Sequence, residues 1–289
     1  MPFFFPWSRR FNLTRDKGYS FYFLQDAEKC LSLTHDYIFA GKVYPALDVV
    51  EDGRAVYLLS PERAVLKYNC IRHWKSRLRK SLAFLPSKNK YCLLDEFSNL
   101  SKLSKSKLVP QVYGYGFRRE MGLVKHEYLV IEYFDGSVSV DQALRNEQVG
   151  PEIILPKIFK LFENMLGQGF VHMDPHPKNI LIAKDGALKL IDFECCAFDV
   201  SDSSFCLAFC MGYFYHFWFY QFMREQEYDQ LAREFAGASV VSLNKDFWTY
   251  YNHFKRCKVS RSLRYKVFLS LSARREFLAH CMKVARDEP

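Results

Sequence analysis

Between residues 43 and 68, short apolar runs alternate with turn residues: VYPALDVV, Glu51-Asp52-Gly53-Arg54, AVYLLS, Pro61-Glu62-Arg63, AVLKYN. Asp-Gly between two apolar runs marks a hairpin, because both central residues of such a turn need positive φ. The stretch therefore predicts a three-stranded antiparallel meander. In KYCLLDEFSNLSKL the period changes. Leu93, Leu94, Phe97, Leu100 and Leu103 follow a helical spacing, which predicts a helix carrying Glu96. Residues 112–117 and 128–134 are again β-rich, and the second run (YLVIEYF) is almost continuously apolar, as a central strand should be. Asp135-Gly136 then breaks the chain. Beyond it, PEIILPKIFKLFENMLGQGF carries the stripe Ile154, Ile158, Leu161, Phe162 and Met165 and stops at Gly167 and Gly169, the signature of a helix end. The remainder after Asp199 is helical in pattern up to a basic tail.

This pattern predicts an α+β protein in three parts: an N-terminal extension over 1–36, a small antiparallel β-rich lobe with one helix over 37–134, and a larger α-helical lobe over 135–289. With 289 residues, 49% of them hydrophobic and 17% aromatic, the chain can build such a core, and disorder is excluded as its default state. The stretch 203–221 has no formally charged residue and approaches the length of a membrane span. It is rich in Tyr, Phe and Cys, contains His216 and lacks a Leu/Ile/Val majority, so it reads as a buried core helix. The opening MPFFFPWSRRFN has no apolar run long enough for a signal peptide. Its sharper reading is an aromatic, basic foot on a membrane surface. Nine cysteines without a CxxC pair point to reduced thiols in a cytosolic protein.

The candidate chemistry lies in GFVHMDPHPKNILIAKDGALKLIDF, residues 169–193. It reads as loop, short strand, Asp185-Gly186 turn, short strand and a second acidic site, which sets two carboxylates and an amide at the ends of a hairpin. Phosphoryl transfer needs a group to take the acceptor proton and oxygen ligands for the metal that neutralises the phosphates. Asp174 suits the first task, and Asn179 with Asp192 suits the second, since Mg²⁺ prefers oxygen donors. Asp174 and Asp192 stand beside apolar strand residues, where an unpaired charge is costly.

These residues carry a resemblance. His172-Met173-Asp174 followed by Asn179 resembles the protein-kinase catalytic loop H-R-D-x-x-x-x-N, and Ile191-Asp192-Phe193 resembles its D-F-G. Upstream, Ala64-Val65-Leu66-Lys67 is similar to the V-A-I-K strand, Glu96 falls where the partner of that lysine belongs, and Glu132-Tyr133-Phe134 falls at the hinge. The resemblance implies a bilobal protein-kinase-like fold using ATP and Mg²⁺. Lys67, held by Glu96, would orient the phosphates; backbone at Glu132 to Phe134 would receive the adenine; Asp174 would be the base, and Asn179 and Asp192 the metal ligands. His172 would hold the loop, with His176 in support. All of this requires residues 67, 174, 179 and 192 to share one cleft.

Departures from protein kinases narrow the expectation. No G-x-G-x-x-G is present; the turn 51–54 would cover the phosphates with Arg54 as its one obvious phosphate partner. Glu194 replaces the glycine of D-F-G, and no A-P-E follows, so a peptide platform is missing. His176 stands two residues after Asp174, as in aminoglycoside and choline-type phosphotransferases and in the ubiquinone-linked atypical kinases, whose H-x-D-P-H-P-x-N is similar to this string. The chain as a whole resembles the bacterial kinases of lipopolysaccharide core sugars, which phosphorylate heptose or Kdo. The net charge of +9 adds an anionic partner to the picture. Residues 72–90 hold seven Lys or Arg and no acid, and residues 255–286 hold ten Lys or Arg. They suit an anionic glycolipid or sugar substrate and peripheral contact with the inner membrane; the tail also reads as a solvated helix face. Nucleic acid is disfavoured, because no recognised module accompanies the charge. The rival readings are a ubiquinone-linked kinase, against which no K-x-G-Q precedes the β-rich region, a small-molecule phosphotransferase, and a catalytically silent scaffold.

Overall fold

The strand-forming runs up to Asp135 pair into one seven-stranded antiparallel sheet. Its strands are β1 (Phe11–Asp16), β2 (Tyr19–Leu24), β3 (Ala46–Asp48), β4 (Arg54–Leu59), β5 (Ala64–Cys70), β6 (Val112–Glu120) and β7 (Leu123–Glu132), in the order β1-β2-β6-β7-β5-β4-β3. Three helices interrupt them: α1 (Glu28–Phe39), α2 (Trp74–Leu82) and α3 (Leu93–Lys102). The computed structural model describes residues 10–48, 53–82, 92–199 and 201–287. They fall into two units, Met1–Asp135 with Asp192–Glu194, and Gly136–Ile191 with Cys195–Pro289.

The first unit includes the stretch expected to be an extension. Tyr19, Phe21 and Phe23 alternate into the core along β2, which pairs with β6 from Tyr19↔Arg118 to Phe23↔Gly114. The hairpin before β2 and the one joining β6 to β7 both turn in two residues at positive φ: Lys17 (45°) with Gly18 (83°), and Met121 (52°) with Gly122 (76°). That turn geometry matches the right-handed twist of the strands it joins. Strand β7 therefore starts five residues earlier than its apolar run, with LVKHE, in which Lys125 and His126 are half-buried and Glu127 is buried. Residues 49–52, and with them Glu51 and Asp52 of the expected phosphate-covering turn, lie outside the described residues, as do residues 83–90 of the basic run. Arg54 opens β4 opposite Asn69.

The second unit contains β8 (Val138–Ser139), α4 (Val140–Arg145), α5 (Pro151–Gly167), β9 (Phe170–His172), β10 (Ile180–Ile182), β11 (Leu188–Leu190) and β12 (Cys196–Phe198). Helices α6 (Ser203–Phe217), α7 (Glu225–Ala238), α8 (Phe247–Arg256), α9 (Arg261–Leu269) and α10 (Leu271–Asp287) complete it. Two small sheets, β11-β10-β8 and β12-β9, hold the loops of interest. Every residue of α6 from Ser204 to Phe214 is buried, so this helix is apolar all round because it forms the core. No described helix is long and apolar enough to cross a membrane.

The basic tail is less available to a ligand than its composition suggests. Lys255 is buried and ion-paired at 2.7 Å with both Asp229 and Glu225. Arg274 is buried and donates to the carbonyls of Val267 and Phe268. Arg264 is buried as well. These three charges are internal, which corrects the reading of the whole tail as an anion-binding or solvated face.

Candidate active site

In the first unit, Lys67 occupies the middle of β5, paired with Leu129 of the central strand β7. Its Nζ donates to Glu96 Oε1 at 2.7 Å, with the Glu96 side chain 1% exposed. Glu96 reaches the lysine because the apolar stripe of α3 turns its first-turn acid inward together with Phe97 and Leu100. Two more carboxylates, Asp192 and Glu194, act on the same lysine. Burial works against the charge on Lys67, but Glu96, Asp192 and Glu194 together hold its pKa above the ordinary lysine value. Burial pushes Glu96 upward, partly offset by Lys67. Asn99 of α3 fixes the acidic segment by donating from Nδ2 to the Phe193 carbonyl at 2.8 Å, and Phe193 is fully buried. Asp192 is held at φ 65°, a conformation rare for a residue with a side chain.

The expected adenine-binding backbone is partly committed elsewhere. The Glu132 N–H donates to Gln111 O and the Tyr133 N–H to Arg63 O, each at 2.8 Å. These two N–H groups are thereby engaged within the first unit.

In the second unit, the loop around Asp174 is held by its neighbours. The Asp174 N–H donates to His172 Nδ1 at 3.2 Å, so His172 carries its proton on Nε2 and donates it to Ile191 O at 3.0 Å. Met173 N–H donates to Cys195 O at 2.9 Å. Asn179 is buried; its Nδ2 donates to Asp174 O at 3.2 Å and its backbone carbonyl accepts from Ile191 N–H. His176 caps the short 3-10 turn Pro177–Asn179 by accepting from Lys178 N–H.

Two side chains that the sequence reading did not single out meet Asp174. Tyr213 of α6 donates to Asp174 Oδ1 at 2.8 Å, and Arg264 of α9 donates to the same oxygen at 2.9 Å. Arg264 also donates to Met173 O, and its guanidinium lies 4.9 Å from the Tyr213 ring centroid. Burial raises the Asp174 carboxyl, but Arg264, Tyr213 and the two histidines outweigh it and hold the group below the usual aspartate value. A signal for Arg264 exists in the sequence: it shares a helical face with the buried Val267 and Phe268. Tyr213 gives none, being one aromatic among many in α6.

Asn179 and Asp192 each carry an oxygen donor of the hard kind that Mg²⁺ takes. Among the described residues no group of three or more His, Cys, Asp or Glu could hold a metal ion. Mg²⁺ needs only one or two protein oxygens beside substrate phosphates.

The ABC1 atypical kinase-like domain matches residues 74–204. The fold is protein-kinase-like. The matched stretch takes in Glu96, Asp174, Asn179 and Asp192 and leaves out Lys67, Tyr213 and Arg264. The maternal embryonic leucine zipper kinase of Danio rerio is 33% identical over 88 residues, 29% of this chain and 13% of that kinase. Serine/threonine-protein kinase cds1 of Schizosaccharomyces pombe is 33% identical over 91 residues, 30% of this chain and 20% of its own length. The citron rho-interacting kinase of Rattus norvegicus is 31% identical over 115 residues, 38% of this chain and 5% of its own. The chain thus spans no more than 20% of the length of these relatives.

Proposed function

We propose that this protein is an ATP-dependent phosphotransferase with an alcohol acceptor. The observation that carries the reading is the ion pair of half-buried Lys67 with buried Glu96, with Asp192 acting on it, since an isolated structural lysine has no need of so many carboxylates. Lys67 binds nucleotide phosphate. Asp174 uses Oδ2 to orient the acceptor hydroxyl and takes its proton as the oxygen–phosphorus bond forms and the bond to the leaving ADP breaks. Asn179 Oδ1 and the Asp192 carboxylate are the oxygens that would ligate Mg²⁺, and that ion would supply neutralisation of phosphate charge.

The acceptor proposed first is a sugar hydroxyl of an anionic glycolipid, heptose or Kdo of a lipopolysaccharide core. Its support is electrostatic: the net charge is +9, and Lys178 beside the catalytic loop lies over the Trp218 ring at 4.7 Å. On α2, Trp74 and Leu78 stand exposed one helical turn apart beside Lys75, a surface suited to peripheral contact with an anionic membrane. The match to the ABC1 domain, together with H-M-D-P-H-P-K-N, favours a second reading, a ubiquinone-linked atypical kinase. Lipopolysaccharide isolated with and without the gene decides between them. The first reading expects core oligosaccharide to lose one phosphate when the gene is deleted. Unchanged core phosphate together with a fall in ubiquinone content would remove it in favour of the second.

A further inference from the structure

We infer that Arg264 and Tyr213 are positioning residues for the transfer reaction, forming a clamp on one oxygen of Asp174 so that the other is presented to the acceptor. The inference rests on the reading of Asp174 as the acceptor-orienting group. Both donors converge on Oδ1, at 2.9 Å from Arg264 and 2.8 Å from Tyr213, and Oδ2 receives neither. A carboxylate held at one oxygen by two donors cannot rotate about its terminal bond without losing both. The hydrogen bonds of Arg264 go to Asp174 Oδ1 and to the carbonyl of the preceding residue, Met173, so one guanidinium fixes both side chain and backbone of the loop.

The clamp has a built support. Arg264 is 6% exposed. Its guanidinium lies over Tyr213, which stacks on Phe209 at 5.0 Å and on Phe217 at 4.4 Å. Phe209 meets Phe268, on the same face of α9 as Arg264, at 4.9 Å. The aromatic column of α6 thus ties the arginine helix to the catalytic loop across 90 residues of sequence. Pure packing does not require this arrangement, because an apolar side chain of similar volume often serves as well as a buried ion pair. Methionine, however, cannot hold a carboxylate in one rotamer. Arg264 also lies beyond the stretch that matches the ABC1 domain, so the matched segment does not by itself contain the residue that orients its aspartate.

The test compares wild type with R264K, R264M, R264G and Y213F, measuring ADP formation from Mg-ATP with dephosphorylated lipopolysaccharide core oligosaccharide as acceptor, and amide hydrogen exchange of residues 172–179. Loss of a charge-assisted hydrogen bond lowers kcat by roughly 10- to 100-fold in R264M, with KM for ATP unchanged. R264K retains a charge and is expected to fall less. Millimolar methylguanidinium is expected to restore turnover to R264G in a saturable manner. Equal kcat in wild type and a folded R264M, or R264G turnover indifferent to methylguanidinium, overturns the clamp. If wild type forms no ADP with that acceptor, the proposed function with that acceptor fails, and the exchange arm still decides the clamp: faster exchange at Met173 to Asn179 in R264M than in R264K supports it, and identical exchange rejects it.

Discussion

At the residue scale, the site depends on charges that burial alone would suppress. Lys67 keeps its proton because three carboxylates act on it, and Asp174 keeps its negative charge because Arg264 and Tyr213 outweigh the cost of burial. Cys195 shows the opposite case close by. Burial pushes its thiol up to about 11, against the pull of Arg261 and a hydrogen bond from Tyr265. At pH 7.5 the thiolate is then on the order of one molecule in a few thousand. Peptide mass spectrometry after brief iodoacetamide treatment of the folded protein is expected to find Cys195 unmodified and to find it labelled in urea; labelling at the rate of an exposed cysteine would contradict the assigned environment. Asp174, Asn179 and Asp192 could be named from the sequence because their spacing is local. Arg264 could not be joined to them, because no spacing rule connects a loop to a side chain 90 positions later.

At the element scale, the helix α6 carries the clearest consequence of packing. A Cβ at Gly212 would stand 2.4 Å from Tyr251 O and 3.0 Å from Lys255 N, so α6 and α8 touch backbone to backbone there. Alanine has the better helix propensity by about 1 kcal/mol, and the clash decides the sign, because α8 cannot retreat without breaking the Lys255 ion pairs. Gly212→Ala is expected to destabilise by about 1–3 kcal/mol, whereas Gly237→Ala on α7, where an added Cβ meets nothing within 4 Å, is expected to be neutral or slightly stabilising. Thermal unfolding of the two variants checks the difference, and an unchanged midpoint for Gly212→Ala would contradict the close approach. The uncharged run that forms α6 was legible as a core helix from its Tyr, Phe and Cys content. The strands β1 and β2 were less so, since FNLTRD shows no apolar alternation and YSFYFL is apolar at nearly every position; only the Lys17-Gly18 turn marks the hairpin.

At the scale of the whole molecule, the sequence disclosed the order of architecture, an antiparallel sheet followed by helices, because periods of two and of three to four residues are written locally. It did not disclose that residues 11–24 supply two strands to the sheet or that Asp192–Glu194 group with the first unit. Both depend on pairings between distant segments. The same limit hid the tail: Lys255, Arg264 and Arg274 look like surface charge in a composition count and are internal supports in the fold. The division of labour that results is plain. On the proposed reading, the first unit would supply Lys67 and its acids, and the second Asp174 with the side chains of Tyr213 on α6 and Arg264 on α9 that meet it.

The most direct test of the central claim is Mg-ATP turnover and binding by wild type, Lys67→Met and Asp174→Asn in parallel. Wild type is expected to form ADP from Mg-ATP when core oligosaccharide is the acceptor and to gain thermal stability with millimolar Mg-ATP alone. Lys67→Met is expected to lose both effects, and Asp174→Asn to keep the stabilisation while losing turnover by at least about 100-fold. A wild-type midpoint that does not move with Mg-ATP, or turnover that survives Asp174→Asn, would contradict the account.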